Sequence, residues 1–448
     1  MTEPSSSQTP ARRRLRDNPW WIPPFLGTIP VLEPRLMRTL QLLALGMMIE
    51  NYDLSLINST LKYIMDDLGI ATTDSGFYMG IVRLGGILTF LILPFADRIG
   101  RRRVFLAALI VLSLGTLFTA FAQTPWQFVA IQFVTRAAML TVVATALVIA
   151  SEEFPAEHRG WAIGILAALA GFGYGIGALL FSAIEVLPYG WRALYALGCV
   201  PLLLLPSFRR DLKETRRFEV HRESVGTTNE TGVLMIWLGP LMALARSEPR
   251  RTLSLGTAAL LSAAGGIAVF QYSAEYALRV HGWEPWQYSA MVIGGGVIGI
   301  MGNVVAGRLG DRIGRRWIGF LFLLPYPLFA ALYYNGPSWT LWVGFGAIVF
   351  CGSVGEVIQR AFVTELFATS HRGAAAGALI LAQTVGWSLG LMLFSLAADN
   401  NAALPTVITG LSLLVAIAGV CFLFLPETNL RELEETSGET GRVASEPS

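Results

Sequence analysis

Charge is what this 448-residue sequence has least of: Asp, Glu, Lys and Arg make up 14% of it, against roughly 25% in a soluble globular chain. With 54% of residues hydrophobic and a mean hydropathy of +0.55, a soluble catalytic domain is excluded. Cysteine is almost absent. Cys199, Cys351 and Cys421 lie in apolar runs, an odd number that suits neither a disulfide framework nor a thiolate metal cluster. Of four histidines, His158 and His371 fall in polar loops. No P-loop, no G-x-G-x-x-G after a strand and no H-E-x-x-H occurs, so nothing points to an enzyme or a cofactor. The polar, Arg-rich start has no A-x-A-type cleavage site, and a removable signal peptide is not expected. A net charge of +2 makes no case for a nucleic-acid partner.

What the sequence has instead is long apolar runs. Twelve of them, near 39–61, 77–96, 104–122, 126–150, 160–184, 192–207, 253–278, 286–306, 317–334, 339–364, 374–397 and 404–425, are long enough to cross ~30 Å of hydrocarbon as helices. The spacing predicts an all-α membrane protein built as two six-helix bundles. A Ser/Pro/Arg-rich start to Asp17 is expected to be disordered, and Trp20-Trp21 with the following prolines suits the headgroup level. The expected divisions are a tail with an interfacial segment at 1–36, a first bundle at 37–208, a polar linker at 209–251, a second bundle at 252–426 and a tail at 427–448. With tails and linker inside, 27 of the 33 Lys and Arg residues are cytoplasmic; Lys62, Arg192 and Arg279 lie outside, and Arg83, Arg136 and Arg360 within helices. The positive-inside rule then places both termini in the cytoplasm of what is expected to be a bacterial inner membrane.

The halves repeat. Ala96-Asp97-Arg98-Ile99-Gly100-Arg101-Arg102 recurs 214 positions on as Gly310-Asp311-Arg312-Ile313-Gly314-Arg315-Arg316. Gly80 and Gly85 recur as Gly294 and Gly299, and Glu152 to Gly160 recurs as Glu365 to Gly373. Such duplication is one of the architectures of secondary transporters.

At these residues, from about Leu36 to Glu435, the chain resembles the major facilitator superfamily. The loop motif G-x-x-x-D-R-x-G-R-R is complete at Gly307, Asp311, Arg312, Gly314, Arg315 and Arg316. Its first copy has Asp97, Arg98, Gly100, Arg101 and Arg102, with Leu93 where the first glycine would stand. Glu152/Arg159, Glu365/Arg372 and Pro426-Glu427-Thr428 resemble the sugar-porter and metabolite:proton-symporter branch. The resemblance implies that the loop clusters close the cytoplasmic side, Glu152/Arg159 and Glu365/Arg372 joining them; the plain alternative is topogenic arginines with satisfied partners. Physically, glycine permits the tight turn, and an Asp at a helix start meets the positive dipole end and can accept from arginines one turn on.

Ionisable side chains at membrane depth are costly and point to function. Glu50 and Asp53 lie in helix 1, Arg83 in helix 2, Arg136 in helix 4, Glu275 in helix 7, and Glu356 and Arg360 in helix 10. Helices 1, 4, 7 and 10 line the cavity in the family resembled. Glu50 and Arg136 are about ten residues deep and reach the midplane at ~1.5 Å per residue. By the repeat offset none of Glu50, Asp53 and Arg136 has a charged twin, which sets them apart from the scaffold. Glu50-Asn51-Tyr52-Asp53 also resembles the acidic helix-1 motif of aromatic-acid:proton symporters. A carboxyl beside an arginine becomes free to take a proton when an anion occupies that arginine, so the pair couples binding to protonation. A permanent ion pair tying helices together is the bland alternative.

Arginine at the midplane suits a carboxylate, which it binds bidentately. Asn51, Tyr52, Tyr174, Gln271, Tyr272, Gln383 and Trp387 can add stacking and hydrogen bonds, though aromatics in membrane helices are more often packing. Helix 7 lacks a paired-glutamine sugar signature, making a sugar or polyol second choice, and helix 5 has glycines but no proline, which disfavours drug efflux. The expectation is therefore a monomeric, proton-coupled carrier of a small organic anion, with a solute-binding sensor as the alternative of a different class.

Overall fold

The computed structural model describes residues 30, 32–212, 214, 233–368, 371–398 and 403–429. The expected disordered start, the Trp20-Trp21 anchor, most of the polar linker and the tail beyond Asn429 lie outside them. The described residues form helices without a strand. Twelve spans follow in order: Pro34–Ser59, then Thr72–Leu93, Arg101–Thr119, Pro125–Glu153, Glu157–Phe181 and Trp191–Asp211, and in the second half Pro249–Arg279, Pro285–Ile313, Arg315–Asn335, Thr340–Leu366, Arg372–Ala398 and Leu404–Phe422. Eleven are apolar enough to cross a membrane by composition alone. The first falls short because it carries Glu50, Asn51, Asp53 and Asn58, polar groups that hydrocarbon would penalise and a shared interior does not.

Within each half the same spans pack together: first on fifth, and seventh on eleventh. The halves themselves meet chiefly through second on eleventh and fifth on eighth. Small residues allow that approach. A side chain at Gly76 would collide with the Leu391 carbonyl, and one at Gly80 with Met392 and Ser388. These contacts lie at the end of the bundles away from the two glycine-arginine loops. We call it the far end, and the other the motif end.

Four spans are interrupted, the second by a 3-10 turn at Gly85–Ile87. The sixth carries Pro201 and Pro206 and a 3-10 turn at Leu197–Cys199. The ninth breaks between Leu323 and Tyr326, at Pro325, and both breaks follow from proline's missing N–H. The seventh stops at Gln271 and restarts at Ser273 with neither proline nor glycine present. Here the tertiary structure does it: Tyr272 stacks on Phe394 at 4.1 Å between ring centroids, and its hydroxyl meets that of Ser75 from the other half at 2.8 Å. The linker was expected to be polar throughout, yet Val233–Ser247 forms a helix. It touches the loop-side part of the second span and also the seventh and eleventh.

Candidate functional site

Arg136 comes from the fourth span, in the first half, and Trp387 from the eleventh, in the second. The guanidinium carbon lies 5.7 Å from the indole centroid, within cation–π range. Among the described residues that ring is the partner recorded for Arg136, which is only 6% exposed. Trp387 also lines a cavity of about 470 Å³, a size suited to a small solute. Gln383, Gln359, Glu356, Arg360 and Ser262 share that wall. A continuous chain of hydrogen bonds fixes them. Gln359 Nε2 donates to Ser262 Oγ at 2.9 Å, Gln383 Nε2 to Gln359 Oε1 at 3.2 Å and to Glu356 Oε2 at 3.4 Å, and Arg360 Nη2 to Glu356 Oε1 at 2.8 Å. Every residue lining this cavity comes from the second half, which offers amides and one internally paired charge; Arg136 of the first half is not in that lining and meets it at the ring of Trp387.

Glu50 and Asp53 share the first span but point differently. Glu50 Oε2 accepts from Asn51 Nδ2 at 2.5 Å, and Arg136 is the charge that acts on it most strongly. Asp53 faces the interior of the first half: its Oδ1 accepts from Thr116 of the third span at 2.8 Å. Its Oδ2 is enclosed without a hydrogen-bond partner, an arrangement that costs free energy unless something completes it. Tyr52 donates to the Leu194 carbonyl at 2.7 Å and so ties the first span to the sixth. Asn51 also bonds back to its own helix, at Met47 O.

Four other expected binding residues belong to the far-end closure instead of the cavity. Arg83 Nη2 donates to Gln271 Oε1 at 2.9 Å and to Asn58 Oδ1 at 3.3 Å. Gln271 Nε2 returns a bond to the Ile57 carbonyl at 3.1 Å. Tyr272 meets Ser75 as described. Glu275 Oε1 accepts from Thr72 at 2.9 Å and pairs with Arg279 at 3.5 Å, and Arg279 reaches Asp66 of the first half at 2.7 Å. Tyr174 accepts from Asn58 at 3.3 Å. Polar groups from both halves therefore meet in pairs at this end.

At the motif end the ion pairs stay within each half among the described residues. Arg315 binds Asp311 at 2.8 Å and Glu365 at 2.9 Å, and Arg101 binds Glu152 at 3.1 Å. Each helix start after a loop glycine is capped by a carboxylate from the end of its own half: Glu427 accepts from the Arg315 amide at 2.7 Å, Glu214 from the Arg102 amide at 3.0 Å. Arg316 lies 3.7 Å from Glu427. Gly100 and Gly314 have φ of +116° and +114°, a region open to glycine alone. Arg159 and Glu152 do not pair; the Arg159 Nε and Glu152 Oε2 atoms are enclosed without partners. Arg372 donates to the Phe367 carbonyl at 3.2 Å, and Arg312 is exposed. The side chains of Asp97 and Arg98 lie outside the described residues. A Cβ at Gly307 would meet nothing within 4 Å, so the leucine at the corresponding position, Leu93, replaces no close contact.

Several polar residues in these networks were missed from the sequence: Thr116, Asn58, Gln359, Ser262, Thr72 and Glu214. Only Asn58 and Gln359 carried a signal, a carboxamide at membrane depth beside a residue already singled out.

The model for the Major Facilitator Superfamily matches residues 43–304 and 255–446. The cis,cis-muconate transport protein of Acinetobacter baylyi is 23% identical over 356 residues, 74% of this chain and 80% of that one. The glucose transporter GlcP of Staphylococcus epidermidis is 27% identical over 88% of this chain and 95% of its own. Among solved structures, the inward-open xylose transporter XylE from E. coli superposes with a TM-score of 0.70 at 18% identity, covering 90% of this chain and 99% of that one.

Proposed function

The chain belongs to the major facilitator superfamily, is an integral membrane transporter and not an enzyme, and from that premise we propose that it carries a small carboxylate-type organic anion in symport with protons. The observation that carries this reading is Arg136: a buried guanidinium with no carboxylate partner among the described residues, facing an indole across the gap between the halves. A planar carboxylate can take both forks of such a group. When it does, Glu50 loses the charge that held it ionised and is free to accept a proton, so solute and proton arrive together. The two acids, three residues apart, titrate as a pair with Arg136. The similarity to a muconate transporter supports an anion as the cargo.

Orientation follows from charge. With 27 of 33 Lys and Arg residues on the motif side, that end faces the cytoplasm. The far end, closed by cross-half bonds, then faces outward. Glu50 and Asp53 are the coupling acids, Arg136 holds the carboxylate, and Gln383, Gln359, Glu356 and Trp387 receive the rest of the solute. A sugar is the second reading, favoured by the amide network of Gln359 and Gln383 and by the similarity to a glucose transporter.

Uptake into proteoliposomes, with and without an imposed inward proton gradient, tests the proposal. Gradient-driven accumulation of a carboxylate such as muconate is expected, with no acceleration of glucose or xylose. Gradient-independent carboxylate uptake would remove proton coupling, and sugar accumulation alone would put the second reading in its place.

A further inference from the structure

Asp53 and Arg83 are both buried in the first half, and Arg83 bonds to Asn58, five residues along the span that carries Asp53. Asp53 is 1% exposed, and its Oδ2 has no partner. Arg83 is 4% exposed, and its recorded partners among the described residues are two neutral amide oxygens, Asn58 Oδ1 and Gln271 Oε1. A guanidinium held by amides and a carboxylate oxygen held by nothing are both costly in a dry interior. Their charges act on one another, yet they do not form an ion pair within 4.0 Å in this state. Arg83 is bonded instead to Gln271, which comes from the other half and itself donates to the Ile57 carbonyl.

We propose that Arg83 is a two-position coupling residue: it fastens the far end shut through Gln271, and it turns to the free Oδ2 of Asp53 when the far end opens. Arg83 and Asp53 both ride on the first half, so rocking of the halves does not separate them. Gln271 rides on the second and is carried away. The two partners therefore compete for one guanidinium. An ionised Asp53 draws Arg83 off Gln271 and favours the open far end; a protonated Asp53 leaves Arg83 on Gln271 and favours closure. That order is the one a symporter needs. Proton and solute loaded from outside shut the far end, and proton release inside reopens it. Around Asp53 the other groups that bear on its charge are Glu50 and Tyr52 on its own span, Thr116 on the third, Arg136 on the fourth and Tyr195 on the sixth. None of these comes from the second half, and of the two cations that bear on Asp53 it is Arg83 that hydrogen-bonds to a side chain there, Arg136 meeting the second half at the ring of Trp387.

This inference rests on Asp53 being a coupling acid, and its test is chosen to fail separately. Spin labels at Gln123→Cys and Pro337→Cys, on far-end loops of opposite halves, report far-end opening in the full chain, reconstituted without solute, with Cys199, Cys351 and Cys421 replaced by alanine. Asp53→Asn should move the population toward closure and Gln271→Leu toward opening, each on the order of tenfold, and Asp53→Asn should erase the response to acidic against alkaline pH. In an Arg83→Met background both shifts should vanish, which a merely structural role would not produce. Unchanged populations in Asp53→Asn, or shifts that persist in Arg83→Met, would overturn the switch. Should wild-type uptake be proton-driven while the label distances ignore Asp53, only this inference falls. If wild-type uptake ignores the proton gradient, the symport reading falls instead.

Discussion

Arg136 concentrates the chemistry at the scale of single residues, because among the described residues it is the one buried cation whose recorded partner is an aromatic face. Arg136→Ala should weaken carboxylate binding by about 2 kcal/mol or more, roughly thirtyfold in affinity, readable by calorimetry. Arg136→Lys keeps the charge but not the fork, and should fall between the two. Glu50→Gln removes the proton acceptor while keeping the shape. Counterflow exchange should survive in it, and gradient-driven accumulation should be lost; accumulation at wild-type rates would exclude Glu50 from coupling. The sequence exposed these residues for a physical reason. A charge in an apolar run is conspicuous, and Glu50, Asp53 and Arg136 stood out by depth and by the lack of a charged twin in the other half. What depth does not give is direction. Arg83, Gln271, Tyr272 and Glu275 are as deep as the cavity residues, yet they point into the far-end closure, because side-chain orientation depends on how the halves meet. Thr116 was invisible, since a threonine in a membrane helix ordinarily donates to the carbonyl four residues back, and the Leu112 carbonyl is within reach as the alternative acceptor to Asp53 for its one proton.

At the scale of elements, the twelve spans follow from apolar length, and the two loop glycines follow from the turn. Gly100→Ala and Gly314→Ala force a side chain into backbone space reserved for glycine, and each should cost about 1–3 kcal/mol, lowering the melting temperature in detergent. An unchanged melting point at either would mean that its turn relaxes. Gly390 makes a different demand: a Cβ there would collide with the Ala264 carbonyl, so Gly390→Ala should separate the seventh and eleventh spans and destabilise by a similar amount. Breaks at proline in the sixth and ninth spans were readable in principle. The break at Tyr272 was not, since the local sequence has no helix breaker and the cause, Ser75 and Phe394, lies far away in the chain. The helix at 233–247 was overlooked inside a stretch taken as polar because charged residues on both sides of it dominate the composition.

At the scale of the whole molecule, two ends are held by unlike means. Among the described residues the far end is joined mostly by bonds between neutral or neutral and charged groups, with one exposed cross-half ion pair, Asp66 with Arg279. That pair should contribute only about 0.2–1 kcal/mol and weaken with salt, which a double-mutant cycle on far-end opening will measure. At the motif end the ion pairs among the described residues lie within one half. Asp311→Asn breaks the contact with Arg315 at the loop and should slow turnover with little change in solute affinity; a large loss of affinity would count against a gating role. Duplication made the architecture legible, through motifs that recur in register. The state of the molecule was not legible, since the same residues serve the open and the closed motif end.

Because Arg136 is on one half and the amide wall of Gln359 and Gln383 on the other, a solute that uses both, as proposed, can touch both only while the two walls close around it. Grip is then strongest in the occluded intermediate, and a carrier so built lets go readily on whichever side it opens.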